Sequence, residues 1–448
     1  MSIDSNTVKD QHETIGIGQP GAAGERTRHP DAQWFGNAGL GLFLHWGISA
    51  VRGEGDLSWS MMAPAPGSKR NVLERFGTQG VGRIFTPADY WAQADGFHPD
   101  RYDPNRWLAA AKQAGFKYAV LTTRHHDGYA LWPSAYGEFG TRTHLGGLDL
   151  VQPYVDACRA QGLKVGLYYS PPDWYFHRRH MSFRSGGKAR FPELPDLGVR
   201  HEPVTLPQLD AAAQHAWDER FNAYVRGQVE ELLTRYGQID VLWFDGPPPA
   251  ITVERIRELQ PGIVINPRAH GWGDFLTPEG AFPKERPTGW WEECHVWNEG
   301  GWGYRSHELY KPTGWVTAEL ARVRAWGGNL LLNVAPDAHG ELPAVAYQRM
   351  GELAAWMTHS RESVVGTNPG PWPEQCNVPV TCHPEARYLH VSWVWDGTIE
   401  LRGIPQPRSV RLLRTGEAWP YRFDNGVLRA EIPPAELSLL GEVLKVER

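Results

Sequence analysis

The chain has 448 residues, of which 41% are hydrophobic and 21% charged, and this composition excludes disorder of the whole chain because a sizeable core can form. The formal net charge of −6 excludes a globally basic nucleic-acid-binding protein. At roughly 150 residues per domain, the length predicts two or three domains, or one large barrel with an appendage.

The first 30 residues are polar and rich in glycine. They lack the hydrophobic run of a signal peptide, so we expect a flexible leader, residues 1–30, on a cytoplasmic protein. No stretch reaches about 18 consecutive apolar residues, and the sequence therefore predicts no membrane span.

Six short apolar runs, each bounded by glycine or proline, predict buried parallel strands. They lie within residues 39–47, 117–128, 163–171, 239–246, 262–268 and 329–336. The pattern predicts helices at residues 104–113, 150–161, 213–236 and 344–359. This alternation predicts an α/β fold, and its size favours a (β/α)8-like barrel, residues 31–360, over an open sheet.

Two segments depart from that alternation. Residues 178–207 are long and contain several prolines, which is typical of a loop inserted after a strand. From residue 364 onward, short alternating strands separated by turn residues predict an antiparallel β-sandwich domain, residues 361–448.

Polar side chains and aromatic rings follow directly after the apolar runs. They are His45, His125, His126, Tyr168, Trp243, Asp245 and Arg268. The active site of such a barrel lies at the carboxyl ends of its strands, so we expect these side chains to converge there. Asp245 ends the run VLWFDG, and Trp243, two positions earlier, points to the same side of the strand.

A carboxylate at this position suggests glycoside hydrolysis. A retaining glycosidase needs two carboxyl groups about 5–5.5 Å apart. The segment after Arg268, which we predict to be rich in loops, offers six candidates for the second group, and sequence spacing alone does not choose among them. They are Asp274, Glu279, Glu285, Glu292, Glu293 and Glu299.

Metal binding is the competing use of the histidines. His125 and His126 are adjacent, however, and adjacent residues on a strand point to opposite faces. The chain contains no H-x-H or H-E-x-x-H pattern and no glycine-rich nucleotide-binding motif. We therefore predict neither a metal ion nor a cofactor.

Seven segments, in order, are similar to the α-L-fucosidases of glycoside hydrolase family 29. They are GLGLFLHWGISAV, TTRHHDGYALWPS, GLKVGLYYSPPDW, YGQIDVLWFDG, W-E-x-C at residues 291–294, GGWGY, and NLLLNVAPDAHGELP. They span nearly all of the predicted barrel. The resemblance implies a barrel with a C-terminal β-sandwich, and retaining exo-hydrolysis of a fucosylated oligosaccharide or glycoside.

The resemblance also implies residue roles. Asp245 matches the nucleophile, and Glu279, in GDFLTPE, matches the acid/base of some members, with Glu285 as the second choice. Glu292, in W-E-x-C, is expected to be structural. Positions that contact the sugar are matched by His45, Trp59, His125, His126, Tyr168, Trp243, Arg268 and Trp302.

The sequence departs from the family pattern after the first strand. Where many members have a Glu-Trp pair, this chain has Ser58 and Trp59, and Glu54 is a possible substitute for the missing carboxylate. This departure leaves two alternatives open. One is a related glycosidase for another L-sugar such as an α-L-galactoside, and the other is a carbohydrate-binding protein without activity.

Overall fold

The structure is a computed structural model of the chain. It describes residues 22–23, 26–64, 83–186, 191–299, 301–307 and 309–448. Most of the predicted leader, residues 1–30, lies outside the described residues. In its described part, Ala22–Ala23 pairs in parallel with Trp272–Gly273, and the backbone N–H of Thr27 donates to the Asp274 carboxylate over 2.7 Å.

Eight parallel strands form one sheet around the site. They are β1 (Leu40–Leu44), β2 (Tyr118–Arg124), β3 (Lys164–Tyr169), β4 (Val241–Phe244), β5 (Val264–Ile265), β6 (Phe275–Leu276), β7 (Trp290–Val296) and β8 (Asn329–Val334). Their order in the sheet is β6-β7-β8-β1-β2-β3-β4-β5, which is the sequential order of a (β/α)8 barrel. The predicted fold class is confirmed.

The two end strands of the sheet, β5 and β6, do not pair with each other as strands, and Asp274 links them instead. The backbone N–H of Asp274 donates to the Ile265 carbonyl over 2.8 Å. The Asp274 carboxylate accepts the Ile265 N–H over 2.9 Å and pairs with Arg257 over 2.7 Å. Asp274 therefore closes the barrel at a seam between β5 and β6.

In the part of the chain that the structure describes, helices run between and after these strands. They are α1 (Pro87–Trp91), α2 (Pro104–Gln113), α3 (Thr141–His144), α4 (Val151–Ala160), α5 (Ala211–Arg235), α6 (Val253–Leu259), α7 (Thr313–Ala325) and α8 (Ala344–Ser360). Short 3-10 turns occupy Pro30–Asn37, Ile48–Val51, Leu57–Met61, Ala92–Gly96, Arg361–Ser363 and Pro434–Glu436. Helix α2 has the predicted bounds, and α4, α5 and α8 lie within two residues of theirs.

Alternating residues of each strand fill the barrel and contact the surrounding helices, as the two-residue period of a strand requires. The barrel interior contains Phe43, Tyr118, Val120, Tyr168, Val241, Trp243, Val264, Phe275, Cys294 and Leu331. Their neighbours, such as Leu42, Leu121 and Leu167, belong to the larger core outside the barrel. The Phe35 ring packs against the rings of Phe275 and Trp290 in the interior cluster.

Strands β6 and β7 correct the prediction that the segment after Arg268 is rich in loops. Strand β7 contains two carboxylates, so it is not an apolar run and the sequence pattern does not predict it. Glu292 points inward and accepts hydrogen bonds from the Tyr118 hydroxyl and, over 3.0 Å, from the Trp243 N–H. Glu293 points outward beside Glu319 of α7, and burial raises the pKa of Glu293 to about 8.

The described residues of the predicted insertion, residues 178–207, pack against the turn that follows β1. It contains two short antiparallel strands, Asp196–Leu197 and Pro203–Val204. The Ala63 N–H donates to the Phe183 carbonyl over 2.9 Å, and the His201 ring bonds the Met61 carbonyl over 2.9 Å. The insertion therefore supports the turn that presents Trp59.

The C-terminal part of the chain forms two antiparallel sheets on one core. The strands are β9 (Asn368–Pro369), β10 (Val380–His383), β11 (Ala386–Val391), β12 (Ile399–Arg402), β13 (Ser409–Leu412), β14 (Arg422–Asp424), β15 (Val427–Ala430) and β16 (Glu442–Glu447). One sheet has the order β9-β10-β11-β16-β13 and the other β12-β15-β14. Leu389, Leu444, Leu401 and Leu428 from the two sheets share one hydrophobic cluster, so the unit is a β-sandwich.

Candidate active site

The site lies at the carboxyl ends of the barrel strands, where the inward positions continue past the apolar interior. His45 follows Phe43 of β1 by two residues, and Asp245 follows Trp243 of β4 in the same way. The two-residue period carries each of these polar groups to the inner face, directly above an interior ring.

Three side chains surround the Asp245 carboxylate. The Tyr168 hydroxyl donates to Oδ2 over 2.7 Å, and Nη1 of Arg268 donates to Oδ1 over 3.0 Å. Nε2 of His126 lies 3.4 Å from Oδ2. Burial, followed by the Asp245 charge, raises the pKa of Tyr168 well above its ordinary value, so Tyr168 stays a hydrogen-bond donor.

Arg268 also holds the second predicted carboxylate. Its Nη2 donates to Oε2 of Glu279 over 2.7 Å, while Nη1 contacts Asp245. Burial alone would lower the pKa of Arg268, but the Glu279 and Asp245 charges outweigh burial and raise it. One fixed guanidinium fork thus brings both predicted catalytic carboxylates together.

Strand β7 fixes the backbone at Glu279. A parallel bridge joins Glu279 to Cys294, and two backbone hydrogen bonds of 3.0 Å link Cys294 with Pro278 and Gly280. The Cys294 sulfur lies 3.8 Å from Nη2 of Arg268. The W-E-x-C motif therefore positions the Glu279 carboxylate from the neighbouring strand.

Two further histidines, His45 and His125, also belong to the site, and the ring of each lies within 6 Å of the Tyr168 ring. His45 Nδ1 shares a hydrogen bond of 2.7 Å with the Asn333 side chain, whose Nδ2 donates to the Trp302 carbonyl over 2.8 Å. Burial lowers the pKa of His45 to about 4, so its imidazole is neutral near pH 7. Nδ1 of His125 and the Ser58 hydroxyl share a hydrogen bond of 2.6 Å. Burial lowers the pKa of His125 well below its ordinary value.

His125 and His126 contradict the expectation that they point to opposite faces. Strand β2 ends at Arg124, so both histidines belong to the following turn, and their ring centroids lie 4.1 Å apart. Their ligand atoms and a carboxylate oxygen of Asp245 all lie within 4.8 Å of one another, a spacing that a metal ion can use. The Arg268 cation on the same carboxylate opposes the binding of a second cation there.

The site residues differ in exposure. The Asp245 and Glu279 side chains are 13% and 15% exposed, and Trp59 and Trp302 are partly exposed. A substrate can therefore contact these four directly.

The remaining predicted contact residues are more deeply placed. His126, Tyr168 and Trp243 are at most 2% exposed, and Arg268 lies over the Trp243 ring at 4.5 Å. Contacts among these residues and with Asp245 and Glu279 join all ten predicted site residues into one connected cluster.

The alternative carboxylates lie elsewhere. Glu285 is exposed, and Glu54 is exposed and pairs with Arg83 over 3.0 Å. Glu292 is fully buried below the Trp243 ring, and burial raises its pKa to about 7. Glu279 is therefore the candidate beside Asp245 that the geometry favours.

The sequence interpretation missed several supporting residues. Asn333 and Cys294 lie inside quoted motifs but were not singled out as part of the site. Asp56 accepts the N–H of Trp302 over 2.9 Å and that of Gly303 over 3.3 Å, which fixes the Trp302 loop. Asn333 could have been found from the strand period. Leu331 points into the barrel interior, and a residue two positions later on the same strand points to the same face.

Comparison with known proteins agrees with this geometry. The family model described as Alpha-L-fucosidase matches residues 19–362, which is more than half of the chain. The chain belongs to the α-L-fucosidase family. The enzyme is thus a glycoside hydrolase, and the predicted family membership is confirmed.

Relatives and solved structures extend the match. The tissue α-L-fucosidase of Bos taurus is 27% identical over 360 residues, which are 76% of this chain and 70% of that one. The α-L-fucosidase isoenzyme 1 from Paenibacillus thiaminolyticus has a TM-score of 0.72 and 31% identity, covering 93% of this chain and 98% of that chain. The Thermotoga maritima α-fucosidase has a TM-score of 0.68 and 25% identity, covering 93% and 97% of the two chains.

Across the described part of the enzyme, we find no helix with the length and apolar character needed to span a membrane.

Proposed function

We propose that the enzyme is a retaining, exo-acting α-L-fucosidase in which Asp245 is the nucleophile and Glu279 the acid/base. The observation that supports this most directly is the shared contact of both carboxylates with Arg268. A retaining mechanism requires two carboxyl groups at close range, about 5–5.5 Å apart. Two carboxylates on neighbouring nitrogens of one guanidinium satisfy the requirement for close range.

In the first step, an Asp245 oxygen attacks the anomeric carbon while Glu279 gives its proton to the glycosidic oxygen. The bond between the anomeric carbon and Asp245 forms as the glycosidic bond breaks, and the aglycone leaves as an alcohol. Glu279 can donate a proton only when Arg268 has released it. The proposal therefore includes movement of Arg268 away from Glu279 as the aglycone enters.

In the second step, the Glu279 carboxylate takes a proton from water. The water oxygen attacks the anomeric carbon, and the bond to Asp245 breaks. The Asp245 carboxylate is restored with its hydrogen bond from Tyr168. Two inversions give L-fucose with the α configuration of the substrate.

The histidines and tryptophans are proposed to orient the sugar. Neutral His45 and His125 can each donate or accept one hydrogen bond with a sugar hydroxyl. Trp59 and Trp302 offer partly exposed rings for the apolar face and the C6 methyl group. Ser58 is fully buried and bonded to His125, so it acts on the sugar only through that ring.

Nuclear magnetic resonance of the first product tests the mechanism. Hydrolysis of an aryl α-L-fucoside should release the α anomer first, and initial release of the β anomer would contradict a retaining mechanism. An aryl α-L-galactoside assayed in parallel measures the sugar preference, and faster turnover of that substrate would reassign the enzyme to L-galactosides.

Two active-site variants test the roles, with azide as an added nucleophile. Asp245→Gly should abolish turnover, and Glu279→Ala should recover activity with azide on a substrate with an activated leaving group, giving the α-L-fucosyl azide. Glu285→Ala is the matched control, because Glu285 is exposed and outside the cluster. Azide rescue of Glu285→Ala in place of Glu279→Ala would move the acid/base role to Glu285.

A further inference from the structure

Asn333 is a fully buried residue of β8 beside the candidate active site. It follows Leu331, which lines the barrel interior, by two residues, so its side chain points to the same inner face. The Asn333 carboxamide makes two hydrogen bonds there. Its Nδ2 donates to the Trp302 carbonyl over 2.8 Å, and its Oδ1 lies 2.7 Å from Nδ1 of His45. The mechanism proposed above does not use Asn333.

The Trp302 carbonyl fixes the orientation of this carboxamide. A carbonyl oxygen only accepts, so the amide nitrogen of Asn333 must face Trp302 and the amide oxygen must face His45. The amide oxygen also only accepts, so the hydrogen atom of the second bond belongs to Nδ1 of His45. Burial lowers the pKa of His45 to about 4, so its ring is neutral at neutral pH and has a single N–H group. Nε2 of His45 therefore has a lone pair and no hydrogen.

Nε2 of His45 is available to a ligand. It has no hydrogen-bond partner among the described residues, yet it is not one of the buried polar atoms that lack a partner, so part of its surface is accessible. The His45 ring lies 5.1 Å from the Trp302 ring and 5.5 Å from the Tyr168 ring, measured between centroids. Because the Tyr168 hydroxyl bonds the Asp245 carboxylate, a sugar placed over that carboxylate lies beside His45.

Asn333 also holds the loop that contains Trp302. Its Nδ2 donates to the Trp302 carbonyl, and the Asp56 carboxylate accepts the Trp302 N–H over 2.9 Å. Both polar groups of the Trp302 backbone are therefore bonded to side chains of other elements. The Trp302 ring is partly exposed and packs beside His45. One carboxamide thus sets the position of an apolar wall and of a hydrogen-bond acceptor in the same site.

We propose that Asn333 is a positioning residue that makes one free sugar hydroxyl a requirement for hydrolysis. It keeps the hydrogen of His45 on Nδ1, so Nε2 accepts a hydrogen bond from that hydroxyl, and it holds Trp302 against the same sugar. A sugar with an ester, a sulfate or a second glycosidic bond on that oxygen has no hydrogen to donate there and is rejected. Sites built to hydrogen-bond a substrate hydroxyl discriminate strongly against an analogue that lacks it. The inference rests on the proposed function, because the hydroxyl belongs to the substrate proposed there.

Nitrogen nuclear magnetic resonance of the substrate-free enzyme, isotopically labelled at its histidines, tests the position of the hydrogen. The resonance of an imidazole nitrogen depends on whether that nitrogen is protonated, and loss of signals in His45→Gln identifies those of His45. We expect a protonated Nδ1 and an unprotonated Nε2 in the wild type at neutral pH. The reverse pattern would overturn the proposal. The measurement involves no turnover, so its failure is distinguishable from failure of the proposed fucosidase activity.

Two variants separate the two hydrogen bonds of Asn333. Asn333→Asp keeps an oxygen facing His45 but, when ionised, has no hydrogen for the Trp302 carbonyl, and Nδ1 of His45 should stay protonated in this variant. Asn333→Leu removes both bonds, and the preference for a protonated Nδ1 should disappear. Its kcat/KM for an aryl α-L-fucoside should fall about tenfold or more, because the buried partners are left unsatisfied. An Asn333→Leu variant with the wild-type nitrogen spectrum and kcat/KM would overturn the proposal.

Asn329→Leu is the matched control on the same strand. Asn329 is also buried, and its Oδ1 accepts the Gly39 N–H over 2.8 Å while its Nδ2 donates to the Phe35 carbonyl over 2.6 Å. These two bonds involve neither His45 nor Trp302. The control therefore loses as many hydrogen bonds as Asn333→Leu, but it should keep the wild-type His45 signals and a kcat/KM within a few-fold of the wild type.

Three aryl α-L-fucosides, each with one ring hydroxyl replaced by fluorine, test the contact with the sugar. Fluorine has no hydrogen to donate, so at one position it should lower the kcat/KM of the wild type about fivefold or more beyond its effect on Asn333→Leu. The electronic effect of fluorine is common to all variants and cancels in this comparison, and Asn329→Leu should behave like the wild type. If no position distinguishes Asn333→Leu from the wild type, the proposal is wrong. If Asn333→Leu does not fold, the nitrogen spectra of the wild type and of Asn333→Asp still provide the test.

Discussion

Replacement of Arg268 by methionine should destabilise the substrate-free enzyme by about 3–5 kcal/mol. The Arg268 side chain is 6% exposed and pairs with Asp245 over 3.0 Å and with Glu279 over 2.7 Å. Methionine keeps an apolar contact with the Trp243 ring but leaves two carboxylates together without a cation. The decrease in stability therefore reflects the lost charge interactions more than lost packing.

The magnitude follows from these distances. At an effective dielectric constant of about 20, two unit charges near 3 Å attract each other by roughly 5–6 kcal/mol. Desolvation of the charges offsets part of that attraction, and loss of one partner from a buried ion pair typically costs about 3–5 kcal/mol. Arg268 has two partners here, so the upper part of this range is expected.

Urea unfolding of a double-mutant cycle isolates the effect. Asp245→Asn or Glu279→Gln removes one of the two charges, so Arg268→Met should be less destabilising in either background than in the wild type. A change in unfolding free energy below about 1 kcal/mol for Arg268→Met, or an equal change in all three backgrounds, would refute the reasoning.

A second ion pair, which is partly buried, supplies the control. Arg257 pairs with Asp274 over 2.7 Å at the barrel seam and does not touch Asp245 or Glu279. Arg257→Met should lower stability but leave kcat/KM within a few-fold of the wild type. Arg268→Met should lower kcat/KM about 100-fold or more, because the Asp245 and Glu279 carboxylates, the proposed nucleophile and acid/base, would no longer be held side by side.

Three further predictions concern residues around the site. Glu292 has a folded-state pKa of about 7 against an ordinary 4.5, so its stabilising contribution is complete below pH 4.5 and is lost as the pH rises to 7. Between pH 4.5 and 7 this loss amounts to about 3 kcal/mol of unfolding free energy, and Glu292→Gln should remove it. If the unfolding free energies of the wild type and the variant change with pH in parallel, this prediction is wrong. Ser58→Ala removes the hydrogen bond to His125, about 1 kcal/mol, and should lower kcat/KM roughly fivefold; unchanged kinetics would exclude a positioning role. Gly128 has φ +85°, and a Cβ atom there would clash with the Asp173 carboxylate. Gly128→Ala should therefore destabilise the fold by more than about 1 kcal/mol in thermal unfolding, and a stable, fully active variant would show that the turn adapts.

Six of the eight barrel strands could be predicted from the sequence because they are buried on both faces and therefore read as apolar runs. Strand β6 has only two residues, which gives no periodicity to detect. Strand β7 contains Glu292 and Glu293, whose carboxylates are stabilised by partners far along the chain or on a neighbouring helix. No local pattern reveals such partners.

The site was predictable where function places a polar residue directly after an apolar run, as for His45 and Asp245. It was less predictable where geometry depends on the exact end of a strand. His125 and His126 were expected on opposite faces because the sequence did not show that β2 ends at Arg124. The contact of Arg268 with both carboxylates required three loops to be placed together, which no spacing rule supplies.

The barrel seam has a consequence for catalysis. Arg268 follows β5 and Glu279 follows β6, so their ion pair crosses the one joint of the barrel that Asp274 closes without a strand ladder. Asp245 follows β4, which is bonded to β3 and to β5 within the continuous sheet. Asp245 therefore stands within the continuous sheet, and Glu279 stands on the other side of the seam. The two ion pairs of Arg268 therefore link Asp245 and Glu279 across the seam, in addition to the backbone bond that Asp274 makes there.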